Sequence, residues 1–238
     1  MRILVVNDDG INAPGIAALV RAALGFGEVW VFAPARQCSG MSQRLTIFEE
    51  MELKAVDFPL PVAGAWSVDG TPADCVKLAL ELMPKRPDLV FSGVNNGWNC
   101  GFDIAYSGTI GACCESVMNG VPAMAFSAPF GEDFAVAEKC MPAMIEELLK
   151  QGQAPGEIWN VNFPGGDPDT LRGVLRDRRP ARMQMYNGVY SARADEAGRR
   201  LYSQKGVLIG REAAEEESDV AAVLDGYISV GKLKNFCF

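Results

Sequence analysis

Two adjacent carboxylates stand directly after the first apolar run of the chain. The run Arg2-Ile3-Leu4-Val5-Val6 has the β-branched composition of a buried strand, and Asn7-Asp8-Asp9-Gly10 follows it. Two like charges so close together repel each other, and a hard cation held between them relieves that repulsion. A solvated turn, in which Asp and Gly are common, is the alternative interpretation of the same residues. The pattern therefore indicates either a divalent-cation site at Asp8 and Asp9 or an ordinary turn.

Three further segments carry polar groups that complement such a cation. Asn and Gly fill the run from Ser92 to Gly101, where Gly lets backbone amides approach an anion and Asn supplies carbonyl and amide groups. Ser107 and Thr109 open a helical pattern, where first-turn amides and two hydroxyls form an oxyanion pocket. Cys38-Ser39-Gly40 places a hydroxyl after another apolar run, where it would complete a metal shell. Each segment alone also fits a plain loop, a helix cap or a turn.

The elements that must position these groups alternate between strand and helix. Strands are predicted from β-branched runs at 2–6, 29–33, 88–92, 122–127 and 157–161. Helices are predicted from apolar spacing and capping residues at 14–24, 72–82, 109–118 and 134–149. Such alternation predicts a mostly parallel α/β sheet with helices on both faces, in which ligands bind beyond the carboxyl ends of the strands. We therefore expect the four polar segments to meet at one edge of one sheet.

Two segments interrupt this alternation. Residues 44–68 lack helical periodicity and are predicted to form an extended arm with irregular strands. Tyr and other apolar residues around 180–210 predict a β-hairpin that protrudes from the core. Residues 215–230 predict one more helix and a strand. Because the chain has 238 residues and no linker-like composition, we expect one domain over 1–238.

The composition excludes several kinds of chemistry. The chain has no histidine, which excludes Ser-His-Asp and Cys-His nucleophiles and His-ligated zinc. The formal net charge of −8 argues against a protein that binds a nucleic-acid duplex non-specifically. Seven scattered cysteines, without a signal peptide or a run of ~20 apolar residues, are typical of reduced thiols in a cytoplasmic protein with no membrane partner.

In combination, these motifs resemble the SurE family of survival-protein nucleotidases. The matching segments are Asn7-Asp8-Asp9-Gly10-Ile11, Ala33-Pro34 with Ser39-Gly40, Gly70 to Val76, Ser92 to Asn95 with Gly97 and Asn99, and Tyr106-Ser107-Gly108-Thr109. Weaker matches at 160–164 and 225–229 extend the resemblance over nearly the whole chain. Val230-Gly231-Lys232-Leu233 departs from the Thr-Pro-Leu that family members often carry near the last strand, and the tail is short. Both departures leave the mode of oligomerisation open.

The resemblance implies a Rossmann-like three-layer core, one divalent cation per subunit (Mg²⁺ or Mn²⁺), and hydrolysis of nucleoside 5′- and 3′-monophosphates or other small phosphomonoesters. By motif position, it assigns the metal ligands to Asp8, Asp9, Ser39 and Asn95. It assigns the phosphate pocket to Asn99, Ser107, Gly108 and Thr109. It also implies a homodimer or homotetramer, with the hairpin and the C-terminal segment exchanged or packed between subunits.

The expected chemistry is in-line attack of water on a metal-held phosphate. A bound cation neutralises phosphoryl oxygens and lowers the pKa of a coordinated water, while Asn99 and the amides near Ser107–Thr109 hold the remaining oxygens. Asp8 or Asp9 is the candidate catalytic group that accepts the proton of that water, although coordination weakens a carboxylate as a base. Direct attack by one of the aspartates is the alternative route.

Two other protein classes share parts of this pattern. A phosphatase of the haloacid dehalogenase type uses Asp-x-Asp-Gly after its first strand, and the alignment of Asp9-Gly10 with that motif puts Asn7 at the nucleophile position. A phosphorylation-responsive receiver module opens with a similar strand and acidic pair. It needs an acceptor Asp at the end of its third strand, where this chain has Ser92-Gly93-Val94-Asn95. Both mismatches favour the metal-dependent phosphatase.

Overall fold

Helices and strands alternate along the first two thirds of the chain, as the sequence pattern predicts. The computed structural model describes residues 1–131, 134–235 and 237. Its strands, numbered β1 to β11, are Arg2–Val6, Glu28–Pro34, Leu53–Ala55, Gly64–Val68, Leu89–Asn96, Ala123–Ala128, Glu157–Asn162, Val174–Leu175, Tyr186–Ala194, Arg200–Leu208 and Ile228–Lys234. Its α-helices, numbered α1 to α5, are Pro14–Ala23, Pro72–Leu82, Gly108–Met118, Ala135–Gln151 and Asp219–Leu224.

The central sheet is mostly parallel, as predicted. Among the described residues, its nine strands lie in the order β3-β4-β2-β1-β5-β6-β7-β11-β8. Strand β1 pairs in parallel with β2 and β5, and the parallel series continues through β4 on one side and through β6 and β7 on the other. Numbered along the chain, these six parallel strands run 3-2-1-4-5-6 across the sheet, which is the doubly wound Rossmann order. The order reverses between β1 and β5, the point at which such sheets bind ligands.

Helices cover both faces of the sheet. Ile3 and Val5 of β1 join a core with the apolar residues of α1 and α4, whereas Leu4 and Val6 join a second core with those of α2 and α3. All four side chains are fully buried. Because successive residues of a strand point to opposite faces, a strand covered on both sides is an unbroken apolar run. The α/β three-layer prediction is therefore confirmed.

Local capping determines where α2 begins. Thr71 Oγ1 accepts a hydrogen bond from Asp74 N at 3.2 Å, and Asp74 Oδ2 accepts one from Thr71 N at 2.9 Å. This reciprocal pair is a capping box. Pro72 occupies the first helical position, where its missing N–H needs no partner. The predicted helix over 72–82 and its Thr71 cap are both confirmed.

The arm over residues 44–68 differs from its prediction in one respect. Gly64–Val68 is a regular member of the central sheet and pairs in parallel with β2. Its Trp66 ring stacks on Trp30 and Phe32 of β2, with centroid distances of 5.6 Å and 4.7 Å. These cross-strand contacts, which stabilise a strand, exist only once β2 lies beside it. The sequence pattern of Gly64–Val68 alone is therefore too weak to predict a regular strand there.

The predicted hairpin is confirmed as a separate two-stranded sheet. Strands β9 and β10 pair antiparallel over nine residue pairs, from Tyr186–Leu208 to Ala194–Arg200. Nearly all of its residues are exposed, including Tyr190 and Tyr202. A lone two-stranded ribbon is marginally stable in water. In the part of the chain that the structure describes, no helix is both long and apolar enough to cross a membrane.

Candidate active site

The turn after β1 presents Asp8 and Asp9 at the carboxyl edge of the sheet. Asn7 is fully buried and braces this turn. Its Nδ2 donates to Gly10 O at 2.8 Å, and its Oδ1 accepts from Gly10 N at 3.2 Å. Gly10 has a φ of +102°, a conformation that favours glycine. The motif therefore turns the chain at once and leaves both carboxylates where the strand order reverses.

Asp8 is buried against the start of α3. Its side chain is 2% exposed, and its Oδ1 accepts a hydrogen bond from Thr109 Oγ1 at 2.6 Å. Burial raises the pKa of Asp8 from its ordinary 3.8 to about 6; the Thr109 hydroxyl counteracts the rise, and the Asp9 charge adds to it. The ionised form of Asp8 is therefore costly in the protein alone, and a nearby cation would lower that cost.

Asp9 lies beside the end of β5 and is half-buried. Its Oδ2 accepts a hydrogen bond from Asn96 N at 2.9 Å. Burial raises the pKa of Asp9, and hydrogen bonds from Asn96 and Gln37 counteract the rise. Gln37 also donates through Nε2 to Ser39 Oγ at 3.1 Å, so it links Asp9 to Ser39. Sequence reasoning missed Gln37, because its type and position in a loop carry no distinctive signal.

The other two predicted metal ligands lie in the loop after β2 and near the end of β5. Ser39 is exposed in the loop after β2, and the preceding amide, Cys38 N, donates to Asp8 O at 2.7 Å. Asn95 is near the end of β5, and its Nδ2 donates to Gly97 O at 2.7 Å. Because that bond engages the amide nitrogen, the carbonyl oxygen of Asn95 is the atom suited to coordination.

This donor set fits a hard divalent cation. Asp8, Asp9, Ser39 and Asn95 offer carboxylate, hydroxyl and amide oxygens, the ligands that Mg²⁺ and Mn²⁺ prefer. Within the described ranges, no group of three or more His, Cys, Asp or Glu residues is arranged to hold a metal ion. A cation here would therefore need neutral oxygens beside the two carboxylates. It would also offset the burial, and the smaller repulsion from Asp9, that raise the pKa of Asp8.

The start of α3 lies in close contact with the acidic turn. Ser107 is the N-cap, and its Oγ accepts a hydrogen bond from Ile110 N at 3.1 Å. A Cβ at Gly108 would lie 2.9 Å from the Cβ of Asp8 and 3.0 Å from its Oδ2. Glycine is therefore the residue that lets the helix begin this close to Asp8. The amides at a helix start attract anions, so the two halves of the predicted site are adjacent.

Thr109 contacts the acidic half of the site through its side chain. The residue is fully buried, and both its hydroxyl and its backbone amide support the Asp8 carboxylate. The sequence pattern did not indicate this contact, because the two residues are 101 positions apart. The assignment of Thr109 to the phosphate pocket stays a prediction.

Asn99 lies below the surface in a cluster of polar side chains. It is 4% exposed, and its Nδ2 donates to Ser127 Oγ at 2.8 Å. Asn160 and Asn162 of β7 bond to its backbone. Sequence reasoning gave these two asparagines no role, although Asn-x-Asn in a strand places both side chains on one face. The bonds of Asn99 run to β6 and β7 rather than to the acidic turn.

Comparison with known proteins agrees with the motif pattern. The family model "Survival protein SurE" matches residues 3–185. The 5′-nucleotidase SurE of Heliobacterium modesticaldum is 37% identical over 233 residues, which cover 97% of this chain and 85% of that relative. The 5′-nucleotidase SurE of Symbiobacterium thermophilum is 40% identical over 235 residues, with 96% and 90% covered. The crystal structure of the SurE protein from Aquifex aeolicus has a TM-score of 0.83 at 36% identity, with 100% of this chain and 95% of that chain covered.

Proposed function

The chain belongs to the SurE family of survival proteins, and on that premise we propose that it is a divalent-metal-dependent phosphomonoesterase. Its relatives are named 5′-nucleotidase, which supports nucleoside 5′-monophosphates as substrates. Nucleoside 3′-monophosphates are the second substrate class of the proposal. The products are the nucleoside and inorganic phosphate.

One observation carries the proposal: the contact between the Asp8 carboxylate and the start of α3. A phosphate held by the first-turn amides would lie close to the negative Asp8 and Asp9 and be repelled by them. A divalent cation between phosphate and carboxylates turns this repulsion into attraction on both sides. The arrangement therefore suits a cation together with a phosphate better than it suits a phosphate alone.

The proposed ligands of the cation are Asp8, Asp9, Ser39 and Asn95. When bound, the cation would neutralise phosphoryl oxygens and lower the pKa of a coordinated water. Thr109 orients the Asp8 carboxylate through its hydroxyl. Gln37 contacts both Asp9 and Ser39 and holds the two side chains in position relative to each other. Such supporting bonds fix the direction in which each ligand oxygen points.

The proposed phosphate pocket consists of donors at the start of α3, from Ser107, Gly108 and Thr109, together with Asn99. Water attacks the phosphorus in line with the leaving oxygen, and the developing charge lies against these donors. Asp9 is the better candidate for the proton of that water, because it is half-buried whereas Asp8 is enclosed. Nucleophilic attack by an aspartate is the alternative route.

The position of Asn7 argues against the haloacid dehalogenase alternative. That class needs a nucleophilic carboxylate at this position, exposed to the substrate. Here the side chain is fully buried and bonded to both backbone groups of Gly10. Asn7 is therefore a brace for the turn.

We also propose that the subunits form a homodimer or homotetramer through the hairpin of β9 and β10. Its support is the exposure of apolar side chains in both strands. These side chains are Val189, Tyr190, Leu201, Tyr202, Val207 and Leu208. Exposed apolar side chains concentrated on one element in this way mark interaction sites.

Phosphate release from a panel of nucleoside 5′- and 3′-monophosphates tests the proposed activity. The panel is run with Mg²⁺, with Mn²⁺ and after chelation. We expect metal-dependent release that disappears in Asp9→Ala and persists in Glu81→Ala, which changes an exposed acid on α2. No release from any nucleotide with either metal would overturn the proposal.

A further inference from the structure

We infer that Asn162, assisted by Asn160, is a positioning residue that holds Asn99 in place for phosphate. The role of Asn99 in this inference rests on the proposed function. The hydrogen bonds that Asn160 and Asn162 make with Asn99 do not depend on that function. They join the loop after β5 to strand β7, at a place where neither the acidic turn nor the start of α3 takes part.

Asn162 binds both sides of the Asn99 backbone. Its Oδ1 accepts a hydrogen bond from Asn99 N at 2.9 Å, and its Nδ2 donates to Asn99 O at 3.2 Å. One side-chain amide therefore engages the donor and the acceptor of the same residue, as a neighbouring strand would. Asn160 Nδ2 donates to the same carbonyl oxygen at 2.9 Å.

Because these hydrogen bonds are buried, their loss should disturb the loop that carries Asn99. Asn162 is fully buried, and Asn160 and Asn99 are 3% and 4% exposed. Water cannot readily replace a lost partner at such depth, so the loss of the Asn162 amide leaves the Asn99 N–H unsatisfied, while the Asn99 C=O keeps its bond from Asn160. The loop then has to shift to find new partners.

The side chains of Asn160 and Asn162 together form a clamp on the Asn99 backbone. This clamp leaves one side-chain donor of Asn99 available. The amide nitrogen carries two hydrogens, and Ser127 Oγ accepts one of them at 2.8 Å. Ser127 lies opposite Asn162 in the register of β6 and β7, so both anchors stand on central strands. With its backbone and one amide hydrogen fixed, Asn99 directs its second amide hydrogen along a single line. A phosphoryl oxygen on that line would be bound without reordering of the side chain.

Three of the four proposed metal ligands, Asp8, Asp9 and Ser39, lie on elements that the clamp does not touch, which makes the inference specific. Asp8 and Asp9 are held by the turn after β1 and by bonds from Thr109 and Asn96. Loss of the clamp should therefore weaken phosphate binding much more than metal binding. A change that merely loosened the fold would weaken both.

The test compares Asn162→Ala and Asn160→Ala with Asn235→Ala, a change of an equally buried asparagine that bonds near the chain end. Affinities for Mn²⁺ and for inorganic phosphate in the presence of Mn²⁺ are measured by calorimetry on the full chain. We expect Asn162→Ala to weaken phosphate binding about tenfold or more and Asn160→Ala to weaken it less. Mn²⁺ affinity should change less than about threefold, and Asn235→Ala should change neither.

Hydrogen exchange provides a readout that needs no ligand. We expect the amides of residues 97–101 to exchange about tenfold faster in Asn162→Ala. If Asn162→Ala does not fold, Asn162→Asp takes its place, because it keeps the acceptor for Asn99 N and loses the donor. Equal losses of Mn²⁺ and phosphate affinity, or unchanged exchange, would overturn the inference. If the wild-type protein neither binds phosphate nor hydrolyses nucleotides, the proposed function fails, and the exchange result alone decides whether the clamp exists.

Discussion

The hydroxyl of Thr109 donates a 2.6 Å hydrogen bond to the carboxylate of Asp8. The two residues are 101 positions apart in the sequence. The bond joins the turn after β1 to the first turn of α3. It therefore connects the proposed metal ligands to the proposed phosphate pocket. Its partner Asp8 is buried, so the strength of this contact should be visible in metal binding and in stability.

Replacement of Thr109 by valine should weaken metal binding. Valine keeps the shape of threonine but removes the donor that orients the Asp8 carboxylate. Supporting bonds of this kind change metal affinity by about 10- to 100-fold. Titration with Mn²⁺ measures the loss, and Thr109→Ser, which retains a hydroxyl, is the matched control. Wild-type affinity in the valine variant would show that the bond is dispensable.

Asp8→Asn should stabilise the protein above pH 6 when metal is absent. Burial raises the pKa of Asp8 from 3.8 to about 6, so the folded state binds this proton more readily than the unfolded state. Stability from this residue is therefore present at low pH and is lost as the pH rises through the window from 3.8 to about 6. An uncharged asparagine does not undergo that loss of stability, which is on the order of 3 kcal/mol.

Denaturant unfolding at pH 4 and pH 7.5, with and without Mg²⁺, measures this effect. The advantage of Asp8→Asn should be present at pH 7.5 with chelator and absent at pH 4. Added Mg²⁺ should stabilise the wild type and leave the variant nearly unchanged. A variant less stable than the wild type at pH 7.5 without metal would contradict the raised pKa of Asp8.

Asp9→Asn should lose activity while it keeps its fold. Asp9 is half-buried and is held by the backbone amide of Asn96, a bond that an asparagine oxygen can also accept. The loss of one charged metal ligand should lower kcat/KM at least about a hundredfold. Steady-state kinetics at saturating metal measure the loss, with melting curves as the control for folding. Full metal-dependent turnover in both Asp8→Asn and Asp9→Asn would rule out the proposed site.

Gly108→Ala should destabilise the protein and impair the site together. The added Cβ would lie 2.9 Å from the Cβ of Asp8, so the helix start or the acidic turn has to move. Overpacking of this kind costs about 1–3 kcal/mol. Gly25→Ala is the control, because its Cβ meets only Ala22 O at 3.4 Å. Thermal melts and phosphate release should separate the two variants, and equal behaviour would contradict the close contact.

Loss of the exposed tyrosines of the hairpin should reduce the oligomeric state. Tyr190 and Tyr202 are 66% and 63% exposed, on paired strands that carry no core of their own. Tyr190→Ser with Tyr202→Ser should shift the protein towards monomer in light scattering after size exclusion. Ser191→Ala, a small change at an exposed residue of the same hairpin, should leave the mass unchanged. An unchanged mass in the double variant would place the interface elsewhere.

Local patterns were sufficient for most of the helices and strands in the first two thirds of the chain. The Thr71 cap with Pro72 predicts α2 over 72–82, because a capping box is made by residues three positions apart. The apolar run of β1 predicts a strand covered on both faces. Gly64–Val68 was not predicted as a regular strand, because its stabilising contacts with Trp30 and Phe32 come from β2.

The candidate site also depends partly on local sequence and partly on tertiary structure. Residue types alone indicate an all-oxygen cation site at Asp8 and Asp9, because the chain has no histidine and adjacent carboxylates repel each other. The tertiary structure alone decides that Thr109 donates to Asp8 and that Asn162 clamps Asn99, 63 positions away. Hydrogen bonds form between atoms about 3 Å apart. The strand order of the sheet, which no local pattern encodes, determines which distant residues come that close.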